Sequence, residues 1–154
     1  MSRAFMKESD GADGEELAEL QVSPHRNLVT PDGLALIEAA VDRLRAELSA
    51  ARSGDDRTDV KRIQRDLRYW TERKRTAELI EPAPAGAKAR FGSLVALEKA
   101  VGGAVEYRIV GEDEADPANG KISYVSPIAK LLIGATVGDG IALPDGAAEI
   151  VAIR

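Results

Sequence analysis

The 154-residue sequence predicts an α+β protein. An antiparallel helical hairpin, paired as a coiled coil, precedes a small, mostly antiparallel sheet domain with one short helix. Three observations predict this. Two apolar seams with 3-4 spacing flank a short polar turn. A Pro/Ala/Gly stretch, "EPAPAGAKA" at 81–89, marks a linker. Beyond it, five short apolar runs alternate with turn signals.

Taken in order, residues 1–26 form an acidic tail. Glu8, Asp10, Asp13, Glu15, Glu16 and Glu19 face only Arg3 and Lys7 over the first 25 positions. No helical or strand period shows, so a mostly disordered segment is expected. His25 is the only histidine. Beside Pro24 it reads as a solvated loop residue, not a catalyst.

The helical hairpin is expected over 27–81. Thr30 suits an N-cap and Pro31 the first helical position, where the missing N–H costs nothing. Leu34, Ile37, Val41, Leu44, Leu48 and Ala51 then follow in 3-4-3-4-3 steps, an a/d seam. Ser53 and Gly54 end it. Val60, Ile63, Leu67, Trp70, Lys74 and Ala77 repeat the pattern. Neither helix can bury its stripe alone, so each is the other's core. At 1.5 Å per residue, an arm of roughly 22 residues spans about 33 Å.

After the linker at 82–89, the second domain runs over 90–154. "RFGSLVALEKA", "AVEYRIVGE", "KISYVS", "GIALP" and "AEIVAI" read as strands, with Gly102-Gly103 and Asp145-Gly146 as turns. "SPIAKLLIGATVGD" reads as a short helix with Ser126 at the N-cap, Pro127 at N1 and Gly134 past its end.

Composition narrows the function. The net charge of −5 argues against nonspecific binding to duplex DNA. The absence of cysteine excludes disulfides, cysteine zinc sites and a thiol nucleophile. No apolar run approaches the 18 or so residues of a membrane span, and the first 20 residues lack the apolar core of a signal peptide. A cytoplasmic protein without membrane association is expected, as a monomer.

Particular stretches resemble a known family. "YRIVGEDEAD" at 107–116 and "ISYVSPIAKLLIGATVGD" at 122–139 resemble the C-terminal domain of the bacterial Gre transcript-cleavage factors, GreA and GreB. "FGSLV" at 91–95 resembles that domain's first strand. "NLVTPDGL" and "RDLRYW…AELIE" resemble the two arms of the Gre coiled coil. The resemblance implies an FKBP-like C-terminal domain that docks on RNA polymerase at the mouth of its secondary channel. It implies that the coiled coil enters the channel, where tip acids stabilise a Mg²⁺ shared with the polymerase for cleavage of backtracked RNA. No cofactor of its own is expected.

The resemblance also assigns candidate residues. Asp56 and Asp59 in "DRTD" have the spacing of the family's two tip acids, and i, i+3 positions share a helix face. They are the candidate catalytic and metal-binding residues. The same aspartates, with Asp55, also suit the N-terminus of the second helix, where capping and the helix dipole stabilise negative charge. Two features depart from the family pattern: the second acid is Asp where the family has Glu, and Val60 stands where the family has Asn. Both arms are also shorter than the family norm, by about two turns or roughly 11 Å of reach, which favours a capped turn over a metal site.

The second arm is basic. Lys61, Arg62, Arg65, Arg68, Arg73, Lys74 and Arg75 face only Asp66 and Glu72, whereas residues 31–59 hold seven acids and four bases. Interhelical pairing and contact with transcript RNA both account for this, with Lys61, Arg62, Arg65 and Arg68 as RNA-contacting candidates. Ser126 and Pro127 align with the family's polymerase-docking loop. Asp113 and Glu114, in "GEDEAD" with Asp116, read as a solvated acidic loop or as ion-pairing residues for a partner.

The expected function is that of a Gre-like elongation factor that binds RNA polymerase and modulates elongation or backtracked-RNA cleavage, without being an enzyme by itself. A non-cleaving regulator that competes for the same channel is the alternative. More distant are an FKBP-like prolyl isomerase, for which only Phe91, Tyr107 and Tyr124 line a pocket, and a coiled-coil adaptor.

Overall fold

The computed structural model describes residues 17–54, 57–82, 84–86 and 88–154. Thr30 begins the helical half as the sequence leads one to expect. Its backbone is extended, its side-chain oxygen accepts from the Gly33 amide at 3.0 Å, and Pro31 follows at N1. Helix α1 spans Pro31–Arg52 and helix α2 spans Arg57–Thr76. At 1.5 Å per residue, the 22 residues of α1 span about 33 Å.

The helices pack on one another. Leu44, Leu48 and Ile63 form the buried centre of the contact, with Ala51, Val60, Leu67 and Trp70 against it. Toward the base, Ile37 and Val41 are also buried. The chain before α1 and the chain after α2 come together in a two-stranded parallel ladder that the sequence does not announce. Strand β1 (Leu28–Val29) pairs with β2 (Glu78–Leu79), Leu28 facing Glu78.

Two expectations for this half are corrected. Lys74 occupies a seam position by spacing, yet it is exposed and its neighbour Arg73 is buried instead. The helix pair ends there against the second half of the chain, so the inward direction is set by that surface and no longer by α1. Residues 17–26, expected as part of a disordered tail, lie against α2 and the junction below it. Glu19 pairs with Arg68, and the Ser23 hydroxyl donates to Glu112 Oε1 at 3.1 Å. His25 is exposed, as read from sequence. Residues 1–16 lie outside the described residues.

The second half holds a five-stranded sheet in the order β5-β4-β3-β7-β6. Its strands are β3 (Leu94–Lys99), β4 (Ala104–Val110), β5 (Lys121–Ser123), β6 (Gly140–Leu143) and β7 (Gly146–Ile153). All neighbours are antiparallel except β4 and β5. Gly102 and Gly103, with φ of 94° and 93°, turn β3 into β4. Helix α3 (Pro127–Leu132) follows β5. Alternation puts Val95, Leu97, Ile109, Ile141, Leu143 and Ile150 on the core face, where Ala129 and Leu132 of α3 close over them. Each fully buried aliphatic side chain here contributes about 1.5–3 kcal/mol. Ala89, assigned by composition to the linker, belongs to this core: it is 1 % exposed and its backbone bonds to Gly134 and Ala135.

Candidate functional site

The strongest concentration of buried polar groups lies where the helix pair meets the sheet. Arg73 sits in the last turn of α2 and is 1 % exposed. A guanidinium so placed is destabilising unless its donors are met. Nε donates to Asp113 Oδ2 at 2.5 Å, and Nη2 donates to Asn27 Oδ1 at 2.8 Å and lies 3.7 Å from Glu112 Oε2. Asn27 completes the exchange by donating Nδ2 to the Arg73 carbonyl at 2.7 Å. The other Asp113 oxygen accepts from the Tyr69 hydroxyl at 2.6 Å. Burial, and then the bond to Asp113, push the Tyr69 phenol up to about 12.

Glu114 is the second fastener. It is 6 % exposed, accepts a short hydrogen bond from the Thr30 hydroxyl, and lies 3.6 Å from Lys121 Nζ. Thr30 thus caps α1 and binds the sheet domain with one oxygen. Gly111 allows the approach: a Cβ there would overlap the Leu28 carbonyl oxygen. Tyr124 donates its hydroxyl to the Arg26 carbonyl across the same seam. Together these bonds clamp the base of the helix pair to the loop after β4.

This corrects the reading of "GEDEAD". Asp113 and Glu114 form neither a solvated loop nor a displayed acidic patch, because their side chains retain only 9 % and 3 % exposure and are taken up within the chain. Arg73 leaves the basic strip for the same reason. Sequence spacing alone does not reveal this, since the partners are separated by 40 and 84 positions.

At the far end of the helices, Asp59 stands in the first turn of α2. Its Oδ1 accepts from Arg62 Nη2 at 2.7 Å and Nε at 3.1 Å. That pairing raises the Arg62 pKa, chiefly through the hydrogen bond and then through charge. Asp55 and Asp56 lie outside the described residues, so the Asp56–Asp59 pair is not seen together. The described part of the tip offers one carboxylate, already bound by a cation, and Mg²⁺ needs several hard oxygens at about 2.0–2.1 Å.

Along α2 the bases pair mainly within their own helix. Arg62 and Arg65 meet Asp66 at 3.6 and 2.8 Å, and Arg75 meets Glu72 at 2.5 Å. Among the described residues no ion pair within 4.0 Å joins α1 to α2, although Glu47 of α1 acts on Arg62 at longer range. Lys61 and Arg68 stand on an exposed face, where Leu17, Ala18 and Glu19 join them around a groove of about 490 Å³.

In the sheet domain, Ser126 Oγ accepts from the Ala129 amide at 3.3 Å and Pro127 is exposed at the head of α3. Leu131, Ile133 and Val137 nearby are 41–57 % exposed. Periodicity did not single out these residues, because it identifies buried faces, and an exposed apolar residue breaks no rule by itself.

The family described as "Transcription elongation factor, GreA/GreB, C-term" matches residues 84–154. The chain is 36 % identical over 132 residues to transcription elongation factor GreB of Xanthomonas axonopodis pv. citri (strain 306), covering 73 % of this chain and 79 % of that protein. It is 41 % identical over 83 residues to GreB of Pasteurella multocida (strain Pm70), where it spans about half of each chain, 53 % and 52 %. The crystal structure of GreA factor homolog 1 of Thermus thermophilus aligns with 84 % of this chain and 99 % of its own at 22 % identity and a TM-score of 0.40. With more than three-quarters of a GreB relative covered at this identity, the chain belongs to the GreA/GreB family of transcription elongation factors.

Proposed function

We propose that this chain acts on transcription elongation by binding RNA polymerase, with the sheet domain as an FKBP-like docking module and the helix pair as a coiled-coil probe of the secondary channel. The clamp around Arg73 is the observation that carries this reading. A probe can act at a distance from its dock only if the joint is stiff, and a buried, hydrogen-bonded ion pair stiffens a joint. The docking surface is Pro127 and Leu131 of α3 with Ile133 and Val137 in the chain that follows it, all exposed. A helix pair of about 33 Å, about two turns shorter than the family norm, is the ground for reading a regulator that occupies the channel without supplying a metal for cleavage.

Leu131→Glu tests the dock. Leu131 is 49 % exposed, so the sheet domain keeps its fold. Binding to RNA polymerase is expected to fall at least tenfold in a competition assay. Unchanged affinity would remove α3 from the docking surface.

A further inference from the structure

We infer that residues 17–23 form a strap that sets its one acid, Glu19, against Arg68 on the basic face of α2 and yields that face to single-stranded RNA by competition. This rests on the reading of the basic face as RNA-contacting.

The strap has one firm end and one weak end. At the firm end, Ser23 bonds to Glu112, and four residues later Asn27 is locked to Arg73. At the weak end, Glu19 meets Arg68 in a bidentate contact along one guanidinium edge, Nε to Oε2 at 3.1 Å and Nη2 to Oε1. Arg65 adds attraction at longer range, and the hydrogen bond from Arg68 holds the Glu19 carboxyl below its usual pKa. Both partners are well exposed, 57 % for Arg68 and 62 % for Glu19. An exposed ion pair is weak and screened by salt. Tethering compensates, because the anchored end keeps the carboxylate at high local concentration.

A carboxylate held by a guanidinium fork has the geometry that a phosphate would take. Glu19 therefore stands where a nucleic-acid backbone oxygen would bind. Upstream, Glu15, Glu16 and Asp13 continue the acidic run in sequence. RNA with several adjacent phosphates can displace a strap held by one exposed pair, whereas a single anion gains little.

The test uses the full chain. The sequence has no cysteine, so Gln21→Cys gives a unique site for a nitroxide. The label is expected to broaden the α2 amides at 61–68, and a short single-stranded RNA at low salt is expected to relieve that broadening. Glu19→Gln is expected to raise RNA affinity about 2–5-fold, the scale of one exposed pair. Glu38→Gln, the same charge change on α1, is expected to leave it unchanged. Absent broadening, or broadening that persists at saturating RNA, would overturn the strap. An equal gain in Glu38→Gln would reduce the effect to net charge and also overturn it. RNA binding by neither wild type nor Glu19→Gln would overturn the proposal through the basic face itself, a result distinct from equal binding by both.

Discussion

Arg73 shows how one residue can change meaning between sequence and structure. By composition it is one base among eight on α2. By position it carries the joint between the two halves. Arg73→Ala would leave Asp113 nearly buried and Glu112 partly buried without their cation, and breaking a buried pair in this way costs roughly 3–5 kcal/mol. Chemical denaturation should show that loss, and Arg75→Ala, on an exposed partner of Glu72, should change stability little. The Tyr69 phenol offers an independent probe of the same joint. Its folded pKa is raised from 10.0 to about 12, so the folded state holds the proton more tightly than the unfolded one. The associated stability is complete below about pH 10 and is lost as pH rises toward 12. Burial also raises Tyr124, so phenolate absorbance should show the latest-titrating tyrosine lost in Tyr69→Phe while that of Tyr124 remains, and the variant should lose less stability across this window than wild type.

At the scale of elements, what was legible follows from local rules. Thr30-Pro31 and Ser126-Pro127 cap their helices as read, because a cap needs only its own next turn. The α1 seam from Ile37 to Leu48 is buried as read, because heptad spacing places those residues on one face. The α2 seam holds at Ile63 and fails at Lys74, where α2 leaves α1 and meets the loop after β4. Leu44→Ala should cost about 2–5 kcal/mol, since Leu44 is 2 % exposed. Leu67→Ala should cost less, because Leu67 is only half-buried. Thermal or urea unfolding of the two variants would rank them. The β1–β2 ladder was illegible for the opposite reason: two-residue strands carry no period, and Leu28 and Glu78 are held opposite one another by the helix pair between them. Gly111→Ala probes that meeting. The added methyl would press on the Leu28 carbonyl, so faster amide exchange at the ladder bonds Glu78 N–H to Asn27 and Ile80 N–H to Val29 is expected, with the sheet core unaffected.

For the whole molecule, the sequence made the two halves and their family legible, while the joint and the strap stayed hidden. Both depend on charges brought together across long separations, and a list of acids and bases does not say which will meet. Family membership places the chain in transcription elongation, and the structure supplies a helix pair clamped at its base through Arg73, with Asp59 bound by Arg62. The most direct measurement is RNA cleavage in a backtracked elongation complex, with and without a cleavage-competent GreB relative. The chain alone is expected to give no Mg²⁺-dependent stimulation, and in excess it is expected to suppress the relative's cleavage saturably, with Leu131→Glu losing that suppression. Robust cleavage by the wild-type chain alone, abolished in Asp56→Asn or Asp59→Asn, would contradict the account and show that the tip carboxylates hold a metal after all.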